Sequence, residues 1–191
     1  RRRGAGVAAG KGDGAREKRT VADAGRELAG QAALSGAALE VEAAVAGGIP
    51  VVKGLREGAA ANRIERIYGI LNGTCNYILS EMERTGADFG EMLQAAQDKG
   101  YAEADPTFDI DGIDAAHKLA ILAAIGFGAR VDFDAVAATG IREVRAADIT
   151  QAGALDYVIR LVSIASLDES DGARRLLQRV RPCLVARGHP L

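Results

Sequence analysis

Tryptophan is absent from this chain, and phenylalanine and tyrosine together make up only 4% of it. A core must therefore be assembled from small aliphatic side chains, which supply most of the 48% hydrophobic content. Cysteine is scarce. Cys75 and Cys183 are too few for the disulfide framework of a small secreted scaffold, and His117 and His189 add no zinc-ligand spacing. The formal net charge of −2 removes any whole-protein case for attraction to nucleic acid or an anionic membrane. The longest uncharged apolar run, Leu119 to Ala129, falls short of the ~20 residues that span a bilayer. No basic-then-apolar leader is readable. These absences point to a soluble, reduced, cytoplasmic protein with no membrane or nucleic-acid partner.

Charge is unevenly spread. Residues 1–19 carry Arg1, Arg2, Arg3, Lys11, Arg16, Lys18 and Arg19 against Asp13 and Glu17, in a Gly/Ala-rich setting without apolar periodicity. This segment reads as disordered. Gly4 and Gly6 lack the preceding strand and third glycine that a dinucleotide loop requires. No aromatic residue interleaves the basic ones, as a single-strand nucleic-acid arm would have.

Organisation begins near Thr20. Val21–Ala33 has helical character, with Gly36 as a stop. Ala38–Val45 alternates, Leu39, Val41, Ala43 and Val45 on one face and Glu40 and Glu42 on the other, as a half-buried strand does. Gly47-Gly48-Ile49-Pro50 breaks it, and Pro50 suits the first position of a short helix ending near Gly58. Arg63–Leu71 reads as a second strand, Asn72-Gly73-Thr74 as a turn, and Cys75–Arg84 as a helix. Asp88-Phe89-Gly90-Glu91 has the form of a capping box opening a helix to Lys99. Val131–Thr139 is read as helical, Gln178–Val185 as a strand, and Ala154–Ser166 has a mixed pattern without an assignment. Alternating strands and helices indicate an α/β (α+β layered) fold, a mixed sheet covered by helices. The strands Ala38–Val45, Arg63–Leu71 and the one near Val180 are expected to share that sheet.

The densest chemistry lies between Gly100 and Lys118. Glu103, Asp105, Asp109, Asp111 and Asp114 crowd into a loop and the first turn of a helix, and Lys118 closes the run. The helix that follows, Leu119–Phe127, is apolar on every side and reads as buried. Charges leading into a buried helix are costly unless they pair or meet a polar ligand. Asp114 and Lys118 stand four residues apart in the favourable order for a helical ion pair. A lysine so held can supply a cation or a proton to a reacting group, and Glu103 and Asp109 are further carboxylates available in the preceding loop.

Three stretches, Glu42–Val51, Gly69–Ile78 and Gly100–Pro106 with Gly112–Leu119, occur in an order that resembles homoserine dehydrogenase. The likeness covers roughly Ala24 to Leu191. It implies NAD(P)-dependent interconversion of L-aspartate 4-semialdehyde and L-homoserine, in threonine and methionine biosynthesis, by a homodimer. It further implies three parts: residues 1–19 as the basic segment, 20–46 as the last helix and strand of a Rossmann-type nucleotide domain, and 47–191 as a substrate and dimerisation domain. Residue by residue, it assigns Lys118 as proton donor with Asp114, and Glu103, Asp109, Asp114 and Thr74 to the amino-acid substrate. Gly100, Gly73 and Lys18 fall to the NADP or NAD cofactor. Glu42 with the backbone of Val45, Gly47 and Ile49 falls to a sodium ion.

Departures accompany the likeness. The glycine-rich nucleotide turn has no match, and where the family has Val-Thr-Ala-Asn-Lys the chain reads Gly14-Ala15-Arg16-Glu17-Lys18, with Lys18 alone in register. A fragment is therefore expected, with a shifted reading frame before about residue 20 as one explanation. The 191 residues alone are expected to lack dehydrogenase activity, which leaves a non-catalytic dimerising module as the alternative function. Plainer readings stand beside each assignment. Asp114 and Lys118 form an ordinary helix pair in many proteins, Asp109-x-Asp111 could hold magnesium, and Gly73-Thr74 could cap a helix or bond a ligand. Glu42 could be a buried, hydrogen-bonded acid. A calcium loop is excluded, because its first and twelfth positions would be Thr107 and Lys118. Cys75 has no histidine partner for nucleophilic catalysis, and His117 reads as structural.

Overall fold

The computed structural model describes Asp13–Gly14, Leu39–Glu40 and residues 45–191. Lys18, Glu42 and the helix expected over Val21–Ala33 lie outside the described residues, as does most of the 20–46 segment. The chain divides into two compact units, residues 1–67 with 117–135, and residues 68–116 with 136–191.

In the first unit, β1 (Asp13–Gly14) pairs in parallel with β2 (Leu39–Glu40). The expectation that the Ala38–Val45 strand shares a sheet with the Arg63–Leu71 strand is thereby corrected, since Leu39–Glu40 belongs to a separate two-stranded ladder. A tight turn over residues 45–49 uses left-handed backbone at Ala46 (φ 49°) and Gly48 (φ 87°). Pro50 stands immediately before α1 (Val51–Lys53) rather than at its first position, because its ψ of 54° is not helical. The helix continues as a π-helical turn, Gly54–Gly58, closed by the bond from Ala59 N to Gly54 O. The second stretch of this unit holds His117–Phe127 of the long helix. There a Cβ placed on Gly126 would lie 2.6 Å from Ile67 Cδ1, so Ile67 nests against bare helix backbone. The His117 ring meets Phe133 edge-on at 4.1 Å, in keeping with a structural histidine.

The second unit is built on a four-stranded mixed sheet in the order β3 (Arg66–Gly69), β5 (Tyr157–Asp168), β6 (Arg175–Ala186), β4 (Val136–Ala138). The α/β architecture read from the sequence is the one observed. β5 and β6 are antiparallel in unbroken register from Tyr157↔Ala186 to Asp168↔Arg175. β4 runs parallel to β6. Ile159, Leu161, Ser163 and Ala165 alternate along β5 and are buried, which is the period-2 pattern that Ala154–Ser166 obscured with its mixed polarity.

Two helices pack on β5: α2 (Gly73–Thr85) and α6 (Ala146–Ala154). α2 buries Cys75, Ile78, Leu79 and Met82, spaced as one helical stripe. It ends at Gly86, whose φ of 73° lets its N–H reach Met82 O. α3 (Phe89–Asp98) starts after Asp88, but the expected capping box does not form. Asp88 Oδ1 instead accepts from Ala146 N at 3.3 Å, joining the starts of α3 and α6. The Asp-rich stretch folds as a short α4 (Thr107–Ile110), a left-handed Gly112 (φ 79°) and the long α5 (Ile113–Phe127). α5 is buried through Ala123, and its last turn is half-exposed.

The helix expected over Val131–Thr139 is replaced by a turn and a strand. Asp132 Oδ1 accepts from Ala135 N, and Val136–Ala138 then extend along β6, with Thr139 N donating to Val180 O at 2.7 Å. Sheet pairing overrides the weak helical preference of a Val-Ala-Ala run. Immediately after it, Ile141 N donates to Ile110 O, and a Cβ on Gly140 would sit 2.1 Å from Ile110 O and 2.5 Å from Asp111 Cα. No side chain fits there without moving the acidic stretch. Gly140→Ala should therefore lower stability by about 2 kcal/mol or more. Gly153→Ala, in α6 with only Arg187 Nη2 at 3.9 Å, should raise it by up to about 1 kcal/mol. Urea unfolding of both variants checks the contrast, and similar midpoints would contradict it.

Candidate active site

The site is assembled from the start of α2. Asn72 has extended backbone (φ −130°, ψ 121°) and its Oδ1 accepts from Cys75 N at 2.8 Å, capping the helix. That bond orients the carboxamide, so its nitrogen points the other way. Asn72 Nδ2 donates to Asp109 Oδ1 at 2.8 Å and to Asp114 Oδ2 at 2.9 Å. Asn72 and Asp114 are each 3% exposed. The turn at Gly112 makes this convergence possible. It reverses the chain between α4 and α5 in a space where an added Cβ would meet Val180 Cγ1 at 3.2 Å.

One turn along α2, Asn76 docks the helix to the sheet. Its Nδ2 donates to Asn72 O and Leu161 O, and its Oδ1 accepts from Leu161 N at 2.9 Å. A side chain thus satisfies both backbone groups of a buried strand residue, as a neighbouring strand would. The remaining acids are separated. Asp111 pairs with Arg142, which also donates to Thr107 Oγ1 at 3.2 Å. Asp105 Oδ1 accepts from Thr107 N, and its bonds to Thr107 hold its carboxyl below the usual range. Asp109 and Asp111 therefore engage different partners, which removes the Asp-x-Asp magnesium reading. Among the described residues no group of three or more His, Cys, Asp or Glu side chains is placed to hold a metal.

Thr74 does not cap α2, since Asn72 does. Its hydroxyl donates to Tyr101 O at 3.1 Å and makes a long 3.4 Å contact with Asp109 Oδ2. Gly73, the first residue of α2, and Gly100, left-handed at φ 75°, are both exposed with open space at the Cβ position. Gly100 ends α3, its N–H on Gln97 O and the next N–H on Ala96 O. The following Tyr101 ring lies 4.7 Å from Tyr77, whose hydroxyl accepts from Lys99 Nζ. Glu103 is exposed and stands apart from the Asn72 cluster, its carbonyl accepting from Gln97 Nε2. Lys118 is half-buried on α5, four residues after Asp114. Val45 is buried, whereas Gly47 and Ile49 are exposed in the left-handed turn.

Sequence reasoning passed over Asn72, Asn76 and Arg142. The signal for Asn72 was present, because asparagine directly before a helical run is a preferred cap. Asn76 and Arg142 act across 85 and 31 residues and leave no local trace.

The fold and this cluster define a class: an α/β protein with one buried and one half-buried acid bridged by a single side-chain amide. The sequence profile described as homoserine dehydrogenase matches residues 50–191, and the chain belongs to that family. The homoserine dehydrogenase of Synechocystis sp. is 51% identical over 174 residues, which are 91% of this chain and 40% of that protein. The crystal structure of the Thiobacillus denitrificans homoserine dehydrogenase superposes with a TM-score of 0.85 at 49% identity, covering 90% of this chain and 39% of that one. A hyperthermophilic archaeal homoserine dehydrogenase in complex with NADPH superposes at 0.81 with 27% identity, covering 98% and 53%. The chain thus spans about two fifths to half the length of these relatives.

Cys75 sits inside the cluster, its Sγ 3.1 Å from Asp109 O. Burial, with Asp109, Asp114 and Asp111 adding, pushes its thiol up to about 12, which removes it as a nucleophile near neutrality. An unfolded thiol ionises near pH 8.5. The native state therefore holds a proton that the unfolded chain releases, and Cys75's contribution to stability is complete below that pH and lost as pH rises through about 12. The stability gap between the parent protein and Cys75→Ala should accordingly shrink from about pH 9 upward. Denaturant titration across pH 7–11 checks it, and a constant gap would contradict the assignment.

Proposed function

We propose that this chain carries the substrate-binding and proton-transfer residues of an NAD(P)-dependent homoserine dehydrogenase, interconverting L-aspartate 4-semialdehyde and L-homoserine in threonine and methionine biosynthesis. The observation that carries this reading is the meeting of Asp109 and Asp114 on Asn72, one helical turn ahead of Lys118, within the family-matched stretch. Two ionised carboxylates attract the substrate's α-ammonium group. Thr74 holds the adjoining Tyr101 carbonyl in place, and Glu103 and Thr74 complete the set of residues assigned to the amino acid. Lys118 faces the carbonyl oxygen, stabilises its growing negative charge and delivers the proton that makes the alcohol. In the opposite direction its neutral amine removes that proton.

The cofactor fits at Gly73 and Gly100. Both are exposed, nothing lies within 4 Å of where a Cβ would be, and the Thr74–Tyr101 bond ties their two segments together. A flat nicotinamide ring approaches such bare backbone closely, as befits kinship with a protein that binds NADPH. When bound, the cofactor supplies or accepts the hydride. Lys18 is proposed to support it. Sodium is assigned to the carbonyls of Val45, Gly47 and Ile49 with Glu42, oxygen ligands suited to a hard cation around the left-handed residues Ala46 and Gly48.

Residues 47–191 are proposed as the substrate and dimerisation domain of a cytoplasmic homodimer. Leu155, Tyr157 and Leu184 are exposed apolar side chains around one end of the β5–β6 ladder, and a symmetric partner would cover them. Light scattering at micromolar concentration should give twice the chain mass, and a folded monomer would contradict the assembly. For the chemistry, Lys118→Ala in the protein encoded by the complete gene should abolish homoserine oxidation by at least about a thousandfold, with cofactor affinity nearly unchanged. Steady-state turnover alongside cofactor binding checks it, and near-normal turnover would overturn the role of Lys118.

A further inference from the structure

Asp109 and Asp114 accept hydrogen bonds from the same nitrogen atom, at 2.8 and 2.9 Å, so their carboxylates are immediate neighbours. Two like charges at such range repel. The Asn72 amide offsets this by giving one N–H to each acid. Its orientation is determined elsewhere, because Asn72 Oδ1 is committed to Cys75 N at the start of α2. A flipped amide would aim its carbonyl oxygen at two carboxylates and lose the cap as well. We propose that Asn72 is the positioning residue of the active site, holding Asp109 and Asp114 side by side to receive the substrate's ammonium group. This rests on the function proposed above. Asn72 touches neither cofactor nor reacting atoms in this role and acts through the two acids.

The cap and the carboxylate bridge can be separated by substitution. Serine caps a helix about as well as asparagine, but offers one O–H on a shorter side chain in place of two N–H groups. Aspartate also caps, yet sets a third carboxylate against the pair. In the protein encoded by the complete gene, assayed for homoserine oxidation, Asn72→Ser should raise the KM for homoserine about tenfold, the loss of one charge-assisted hydrogen bond. The KM for the nicotinamide cofactor should stay within about twofold and Tm within about 3 °C. Asn72→Asp should raise the homoserine KM further, despite an intact cap. If Asn72→Ser fails to fold, Asn72→Thr, another capping residue, carries the same comparison. A homoserine KM within twofold of the parent in a folded serine or threonine variant overturns the positioning role while leaving the dehydrogenase reading intact. So does a parallel rise in both KM values that follows a fall in Tm, which marks a purely structural asparagine. Absence of homoserine turnover in the unsubstituted protein overturns the functional reading, and the positioning role with it.

Discussion

One carboxamide has to close a helix on one side and hold two acids on the other, and much of the second compact unit is arranged around that demand. Asn72 can do both only if α2 begins where it does, with Cys75 N presented to the amide oxygen. The helix start is located by Asn76, whose amide grips both backbone groups of Leu161 in the long β5–β6 ladder. The acids arrive from the opposite direction, through the turn at Gly112 and the close approach of Gly140 to Ile110 and Asp111. A displaced helix start or a widened turn breaks the same hydrogen bonds. The rigid sheet is therefore connected to the polar cluster by side-chain amides and bare backbone, the two contacts that leave least room for slack.

The local electrostatics follow from how the acids are divided. Five carboxylates within twelve residues would resist burial as a group. Arg142 takes Asp111, Thr107 takes Asp105, and Glu103 remains in solvent. Asp109 and Asp114 instead share the neutral Asn72 amide as a hydrogen-bond donor, which tempers their repulsion. The thiol of Cys75 registers the result, being held protonated by burial and by the field of its acidic neighbours.

How far the sequence discloses this arrangement depends on the range of each interaction. The helix stripe Cys75, Ile78, Leu79, Met82 and the buried first turns after Lys118 were legible, because helical periodicity is local. The long strands were not bounded correctly. β5 mixes Arg160, Ser163 and Ser166 with aliphatic residues, and its strand identity comes from its partner β6. The strand identity of β4 is not legible locally, because Val-Ala-Ala has no strong preference and pairing with β6 decides it. The capping box at Asp88 was a true local signal that lost to a remote one, the N–H of Ala146. Motif order singles out the acidic run and Lys118, yet it is silent on which acids share a donor.

That silence explains why the Asp114–Lys118 spacing alone argues so little. On an exposed helix such a pair contributes a few tenths of a kcal/mol, and either member can turn to solvent when a ligand approaches. Here Asp114 is 3% exposed and its Oδ2 accepts from Asn72, so its carboxylate is held in one orientation. The difference between a surface acid and a fixed one is thus set by a residue forty-two positions earlier in the chain, whose own conformation is decided by the need to begin a helix.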